Sequence, residues 1–133
     1  RKQLQFETLG PSLQVHLDRS VIAAAMDNLL SNAVHFSPDN GKITVQWQKS
    51  ERGVTLLVGD EGPGIPEEER SKVFLPFYQG KALRTGPLKG TGLGLSVARE
   101  CVESHKGVLN ILESERGTWF EVFLPQELRS GSL

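Results

Sequence analysis

Asp27-Asn28-Leu29-Leu30-Ser31-Asn32-Ala33-Val34-His35-Phe36 sets the frame for the rest of the chain. Ile22, Met26, Leu29, Leu30 and Ala33 recur at the 3.6-residue period of an amphipathic helix. The spacing predicts one helix from Arg19 to about Phe36, with Asp18 as its N-cap and Ser37-Pro38-Asp39-Asn40-Gly41 as its stop. Asn28 and Asn32 lie four residues apart and His35 three further on, so all three share one face beside the apolar stripe.

Outward from that helix, residues 4–7 and 13–17 alternate as short strands, broken by Leu9-Gly10-Pro11-Ser12. On the other side, residues 42–49 and 54–59 read as a strand pair joined across Ser50-Glu51-Arg52-Gly53. Glu67-Glu68-Glu69-Arg70 offers a short helix whose acids sit in its first turn. Residues 78–92 show no periodicity and hold Lys81, Arg84 and Lys89 without one acid, which predicts a functional lid. A second long helix runs from about Leu93 to about His105, with Gly107 as its stop, and residues 108–112 and 119–124 close the chain as a hairpin. Residues 125–133 read as a frayed tail. This order predicts an α/β fold with helices layered on one face of a mixed sheet.

Composition bounds the function. The chain has 133 residues, 15 basic against 16 acidic side chains and a formal net charge of -1. It is expected to form a single domain, with no global charge to attract nucleic acid. A lone cysteine, Cys101, excludes an internal disulfide scaffold. The longest apolar run, residues 21–26, is far short of the roughly 18 residues that a membrane span requires.

Three clusters could carry chemistry. The amide oxygens of Asn28 and Asn32 suit magnesium, which takes few protein ligands when it also binds phosphates; the same pair could equally be buried amides satisfying the backbone. Asp60-Glu61-Gly62-Pro63-Gly64 puts a carboxylate at the end of an apolar strand, followed by glycines that let the backbone approach a flat ligand. Such a carboxylate can accept from an exocyclic amine, or serve only as a turn residue. Lys89-Gly90-Thr91-Gly92-Leu93-Gly94-Leu95 runs into a helix N-terminus, a common cradle for phosphate, although its G-x-G-x-G spacing fits neither the P-loop nor the dinucleotide fingerprint.

Together these pieces resemble the catalytic ATP-binding domain of two-component sensor histidine kinases, within the superfamily of gyrase-type topoisomerases, Hsp90 chaperones and MutL repair proteins. Asp27-Asn28-Leu29-Leu30-Ser31-Asn32-Ala33 matches the N box, Asp60-Glu61-Gly62-Pro63-Gly64 the first glycine box, and Phe74-Leu75-Pro76-Phe77-Tyr78 the F box. Gly90-Thr91-Gly92-Leu93-Gly94-Leu95 matches the second glycine box, and Gly117-Thr118-Trp119-Phe120 the closing strand pair. The resemblance implies a Bergerat-type two-layer sandwich, a mixed sheet of about five strands with three helices on one face, and ATP and Mg2+ as ligands under a lid of residues 65–92.

Site roles follow from the same resemblance. Asp60 would take the adenine amine, Gly62 and Gly64 would let the base approach, and Thr118 would support Asp60 through water. Asn32, with Asn28 beside it, would hold magnesium. Arg84, Lys89 and the backbone of Gly90, Thr91, Gly92, Leu93 and Gly94 would meet the phosphates, with Asn28, Asn32 and Arg84 as the catalytic set. Phe74 and Phe77 would anchor the lid by apolar packing. His35 stands where many relatives carry Lys or Arg to reach a phosphate, and an imidazole does that only as a cation. Gln79 likewise stands where a basic residue often follows the F box.

Clamp-type ATPases of the superfamily carry a glutamate where this chain has Asn28, and an amide cannot take a proton from water at neutral pH. The resemblance therefore implies a protein-histidine kinase domain that donates a γ-phosphoryl group. The alternatives are a docking module without transfer activity and a clamp-type ATPase fragment. None of His16, His35 or His105 lies in the phosphoacceptor context of the family. The acceptor is expected on a dimerisation hairpin upstream of Arg1, within a homodimeric parent, while this domain alone is a monomer that does not phosphorylate itself. The onward partner is a response regulator, and the location is cytoplasmic, in a bacterial inner-membrane protein.

Overall fold

A computed structural model of the chain describes residues 4–10, 17–76, 94–112, 114 and 116–126. The elements run β1 (Gln5–Leu9), α1 (Arg19–Phe36), β2 (Lys42–Lys49), β3 (Gly53–Gly59), a 3-10 turn (Glu67–Glu69), α2 (Gly94–Ser104), β4 (Val108–Leu112) and β5 (Trp119–Pro125). The five strands form one sheet in the order β1-β2-β3-β5-β4, with β1 parallel to β2 and every other pair antiparallel. Both helices pack on the same layer, against each other and against β3, β4 and β5.

The expected α1 forms with the bounds its pattern sets. Asp18 Oδ1 accepts from the N–H groups of Ser20 and Val21 at 3.2 and 3.3 Å, satisfying donors that the first turn leaves open. The stop is steric, because a residue preceding proline is driven out of the helical region, and Ser37 sits extended at φ -68, ψ 142. The innermost row is Ala25, Leu29 and Ala33, with Ile22, Met26 and Leu30 half-buried at its flanks. Small residues in that row let α1 lie close to β3 and α2.

At the end of α2, the Gly107 N–H reaches the Val102 carbonyl and the Lys106 N–H that of Glu103, a Schellman cap. The left-handed position falls on Lys106 (φ 60) rather than on Gly107. Gly107 is required instead by crowding, since a Cβ there would overlap the Phe123 carbonyl oxygen. His105 joins the two helices: its Nε2 accepts from the Asp18 N–H at 2.9 Å while Nδ1 lies 3.2 Å from the Cys101 carbonyl oxygen.

The sheet buries Ile43, Val58, Leu109, Phe120, Val122 and Leu124 against Ala25, Leu29, Ala98 and Val102. Two expectations change. The third helix is the single 3-10 turn Glu67–Glu69, because the chain turns at once to bury Val73 and Phe74, so among the described residues two helices rather than three cover the sheet. Pro125, expected to open the tail, closes β5, and the Gln126 N–H continues to the Arg52 carbonyl. Residues 13–16 of the second expected strand lie outside the described residues, and Leu17 has no strand conformation.

Phe74 packs into the core, while residues 78–92 of the lid it is expected to anchor lie outside the described residues. Its ring meets Phe120 edge-on at 6.4 Å and carries the Arg99 guanidinium 4.6 Å from its centroid. Phe77 lies outside the described residues. Among those described, no helix is long and apolar enough to cross a membrane.

Candidate nucleotide-binding site

β3 ends at Gly59, and the next residue, Asp60, lies 4% exposed at the mouth of the sheet. Asp60 Oδ1 accepts from the Gly62 N–H at 2.8 Å and from the Thr118 N–H at 3.3 Å, while the Asp60 N–H donates to the Thr118 carbonyl at 2.9 Å. Thr118 thus reaches Asp60 directly through its backbone. Burial pushes the Asp60 carboxyl above the ordinary aspartate range, and the two backbone donors pull it only part of the way back.

Glycines make this closeness possible. A Cβ on Gly62 would stand 2.6 Å from the Phe36 carbonyl oxygen and 3.0 Å from Asp60 Oδ1. Gly64 (φ 81) and Gly117 (φ 77) both hold left-handed backbone. A Cβ on Gly117 would run into the Asp60 carbonyl oxygen. Gly117 was legible in the sequence only as part of the closing strand pair, because its neighbour lies 57 positions away in the chain and nothing local marks the contact.

In front of Thr118 lies a cleft bounded by Asn32 and Phe36 of α1, residues 63–66, Glu69, Val73 and Leu95 of α2. Its apolar walls (Phe36, Ile65, Val73 and Leu95) suit a flat base. Asp60 does not line this cleft; it meets the cleft wall at Thr118 and itself borders a neighbouring hollow with Lys42 and Glu61. The cleft with Asn32 is the candidate site, since it joins apolar walls to an amide ligand.

The asparagines differ in their surroundings. Asn28 Nδ2 donates to the Ala24 carbonyl at 2.9 Å, and its Oδ1 faces the start of α2, where a Cβ on Gly94 would approach to 3.3 Å. Asn32 opens into the cleft. Among the described residues no three His, Cys, Asp or Glu side chains gather as a metal cluster. The amide oxygens of Asn28 and Asn32 are neutral hard donors, of the chemical kind that suits magnesium where phosphates and water fill its other positions.

His35 does not border the cleft; its ring meets Phe36 edge-on at 4.4 Å. Gly62, Gly64, Thr118, Asp60, Asn32, Asn28 and Gly94 are brought together at one end of the helix layer. Arg84, Lys89, Gly90, Thr91, Gly92 and Leu93 lie outside the described residues, as does Gln79.

Comparison with known proteins decides the family. Residues 17–128 match the family described as histidine kinase-, DNA gyrase B-, and HSP90-like ATPase. This chain belongs to that family. The sensor histidine kinase GlrK of Escherichia coli is 40% identical over 106 residues, covering 79% of this chain and 22% of the relative. The signal transduction histidine-protein kinase/phosphatase MprB of a Mycobacterium species is 37% identical over 131 residues, covering 94% of this chain and 25% of the relative. The chain thus spans about a quarter of the length of these two curated relatives.

Among solved structures, the nucleotide-free catalytic domain of histidine kinase ThkA superposes with a TM-score of 0.80 at 32% identity, covering 92% of this chain and 80% of that one. ThkA in complex with response regulator protein TrrA matches with a TM-score of 0.76 at 30% identity, covering 93% of this chain and 34% of that one. The ATP-binding fold of sensor histidine kinases is therefore the fold of this ATPase-family chain.

Proposed function

We propose that this chain binds Mg-ATP in the cleft beside Thr118 and donates the γ-phosphoryl group to a histidine on a separate helical hairpin of a sensor kinase. The observation that carries this reading is the buried Asp60 carboxylate, held by the Gly62 and Thr118 N–H groups behind a cleft that also receives Asn32. Asp60 accepts the adenine amine, and Phe36, Ile65, Val73 and Leu95 enclose the base.

Asn32, with Asn28 behind it, would hold magnesium, which would supply charge neutralisation at the phosphates. Gly94 and the preceding glycines offer N–H groups to the phosphate tail, with Arg84 and Lys89 as its cationic partners. His35 lies next to this end and would meet phosphate only by leaving Phe36.

Transfer to imidazole asks little further of this chain. The acceptor nitrogen already has a lone pair; it forms the P–N bond as the bond to the bridging oxygen breaks and ADP leaves with that electron pair. A carboxylate on the acceptor's own helix takes the imidazole proton. The contribution of the domain is positioning and charge stabilisation. Hydrolysis is disfavoured because Asn28, its amide nitrogen donating to Ala24, supplies no base for water.

The histidine would pass the group to an aspartate of a response regulator, a partner class supported by the ThkA–TrrA complex. In this proposal the parent is a homodimeric, membrane-borne sensor kinase with this domain on its cytoplasmic side. Radiolabelled ATP tests the reading: this chain should label a purified histidine-bearing hairpin, leave itself unlabelled and release little phosphate. Rapid phosphate release without the hairpin would favour a clamp-type ATPase. Bound nucleotide with an unlabelled hairpin would favour a docking module.

A further inference from the structure

We infer that Gly117 is a positioning residue that sets the cleft's selectivity for adenine, whose amine stands on C6, over guanine, which carries a carbonyl oxygen there. The inference rests on the proposed nucleotide reading and adds to it a residue that touches no nucleotide. Asp60 Oδ1 has two donors, one from its own loop (Gly62) and one from across the sheet end (Thr118). With both in place the carboxylate is fixed, and Oδ2 is left as the acceptor for the base. The second donor depends on how closely the β4–β5 turn lies against Asp60.

Gly117 sets that distance. Its Cα lies so near the Asp60 peptide that a Cβ would overlap the carbonyl oxygen and stand 2.8 Å from its carbon and 3.1 Å from Glu61 Cα. These are backbone atoms of a strand end, which cannot swing aside as a side chain does. The turn is close to the glycine loop as well, since a Cβ on Gly64 would stand 3.2 Å from the Gly117 carbonyl oxygen. With φ at 77, Gly117 also directs the next residue, Thr118, back along β3. Any L side chain at 117 therefore drives the turn off Asp60 and takes the Thr118 N–H with it. Oδ1 then keeps only Gly62, and the carboxylate can rotate away from the base amine.

Gly53 supplies an internal control. It lies at the far end of the same β3–β5 pair, and a Cβ there would overlap the Leu124 carbonyl oxygen. Gly53→Ala thus introduces a comparable backbone collision away from the cleft.

The test is calorimetric titration of non-hydrolysable ATP and GTP analogues into wild type, Gly117→Ala and Gly53→Ala, with thermal melts of all three. Gly53→Ala should lower the melting temperature yet keep the wild-type adenine-over-guanine ratio. Gly117→Ala should lose at least about tenfold in affinity for the ATP analogue, the scale of a hydrogen bond to a charged group, and most of that ratio. A folded Gly117→Ala that keeps the wild-type ratio overturns the inference.

Should Gly117→Ala fail to fold, wild-type amide spectra decide. The Gly62 and Thr118 amide protons should shift together on acidification with one midpoint, and a Thr118 amide that does not follow Gly62 overturns the inference. A wild type without adenine preference would instead remove the nucleotide reading itself. Adenine preference in wild type with an indifferent Gly117→Ala removes only the role of Gly117.

Discussion

Asp60 and Thr118 are hydrogen-bonded twice, the Asp60 N–H to the Thr118 carbonyl at 2.9 Å and the Thr118 N–H to Asp60 Oδ1 at 3.3 Å. The first bond continues the β3–β5 ladder past Gly59 and Trp119, and the second turns the end of that ladder into a mount for a carboxylate. Asp60→Asn preserves the acceptor oxygen for Gly62 and Thr118 but presents an amide N–H₂ where the adenine amine approaches. Adenine-nucleotide binding should weaken by about 1–3 kcal/mol, read by titration calorimetry. Unchanged affinity would show that Asp60 does not meet the base.

Stability should respond to pH with opposite signs at two aspartates. The folded state of Asp60 has a raised pKa, chiefly from burial, so it binds its proton more tightly than the unfolded chain. Its charge therefore costs nothing below the ordinary aspartate range, and the cost grows as pH climbs from there to the raised folded value. Asp60→Asn should melt at the same temperature as wild type in acid and at a higher one near neutrality. Asp18 is lowered, first by its Ser20 side-chain hydrogen bond and next by the Val21 N–H. Its stabilisation is complete above the ordinary aspartate range and is lost as pH falls through the lowered folded value. Asp18→Ala should thus melt below wild type near neutrality, and the gap should close in acid. Thermal melts across that range check both signs.

Asn32 enters the cleft, whereas Asn28 is engaged with Ala24 and faces Gly94. Asn32→Ala should remove most of the gain in ATP-analogue affinity that magnesium provides and leave magnesium-free binding near the wild-type value. Asn28→Ala should have the smaller effect on the same gain. Paired titrations with magnesium and with a chelator check this, and an equal loss in both series for Asn32→Ala would contradict its role as ligand.

Phe120 is 1% exposed, lies in β5 next to Trp119 and packs edge-on against Phe74. Phe120→Ala opens a cavity under both the sheet and the F box, and should cost about 3–5 kcal/mol in urea unfolding. A loss near zero would mean that the layer can collapse around the vacancy.

The sequence signals were strongest where the physics is local. The 3.6-residue stripe, the Asp18 cap and the Ser37-Pro38 break determine α1 without outside help, and the hairpin partners of β2 and β4 follow in the chain. The sheet order was not legible, because β3 pairs with β5 across two helical segments and β1 lies parallel to β2 beyond α1. The acids of residues 67–69 suggested a helix, but burial of Val73 and Phe74 four and five positions later allowed only one turn. At the site, Asp60, Asn32 and Thr118 could be picked out by residue type and motif. That Gly117 would abut Asp60 is a contact decided by the tertiary fold.

Titration calorimetry of this chain with non-hydrolysable adenine and guanine nucleotides, each with and without magnesium, tests the central claim most directly. The account predicts saturable binding of the adenine nucleotide that magnesium strengthens, and much weaker binding of the guanine nucleotide. Absence of binding, or equal binding of the two bases, would contradict it.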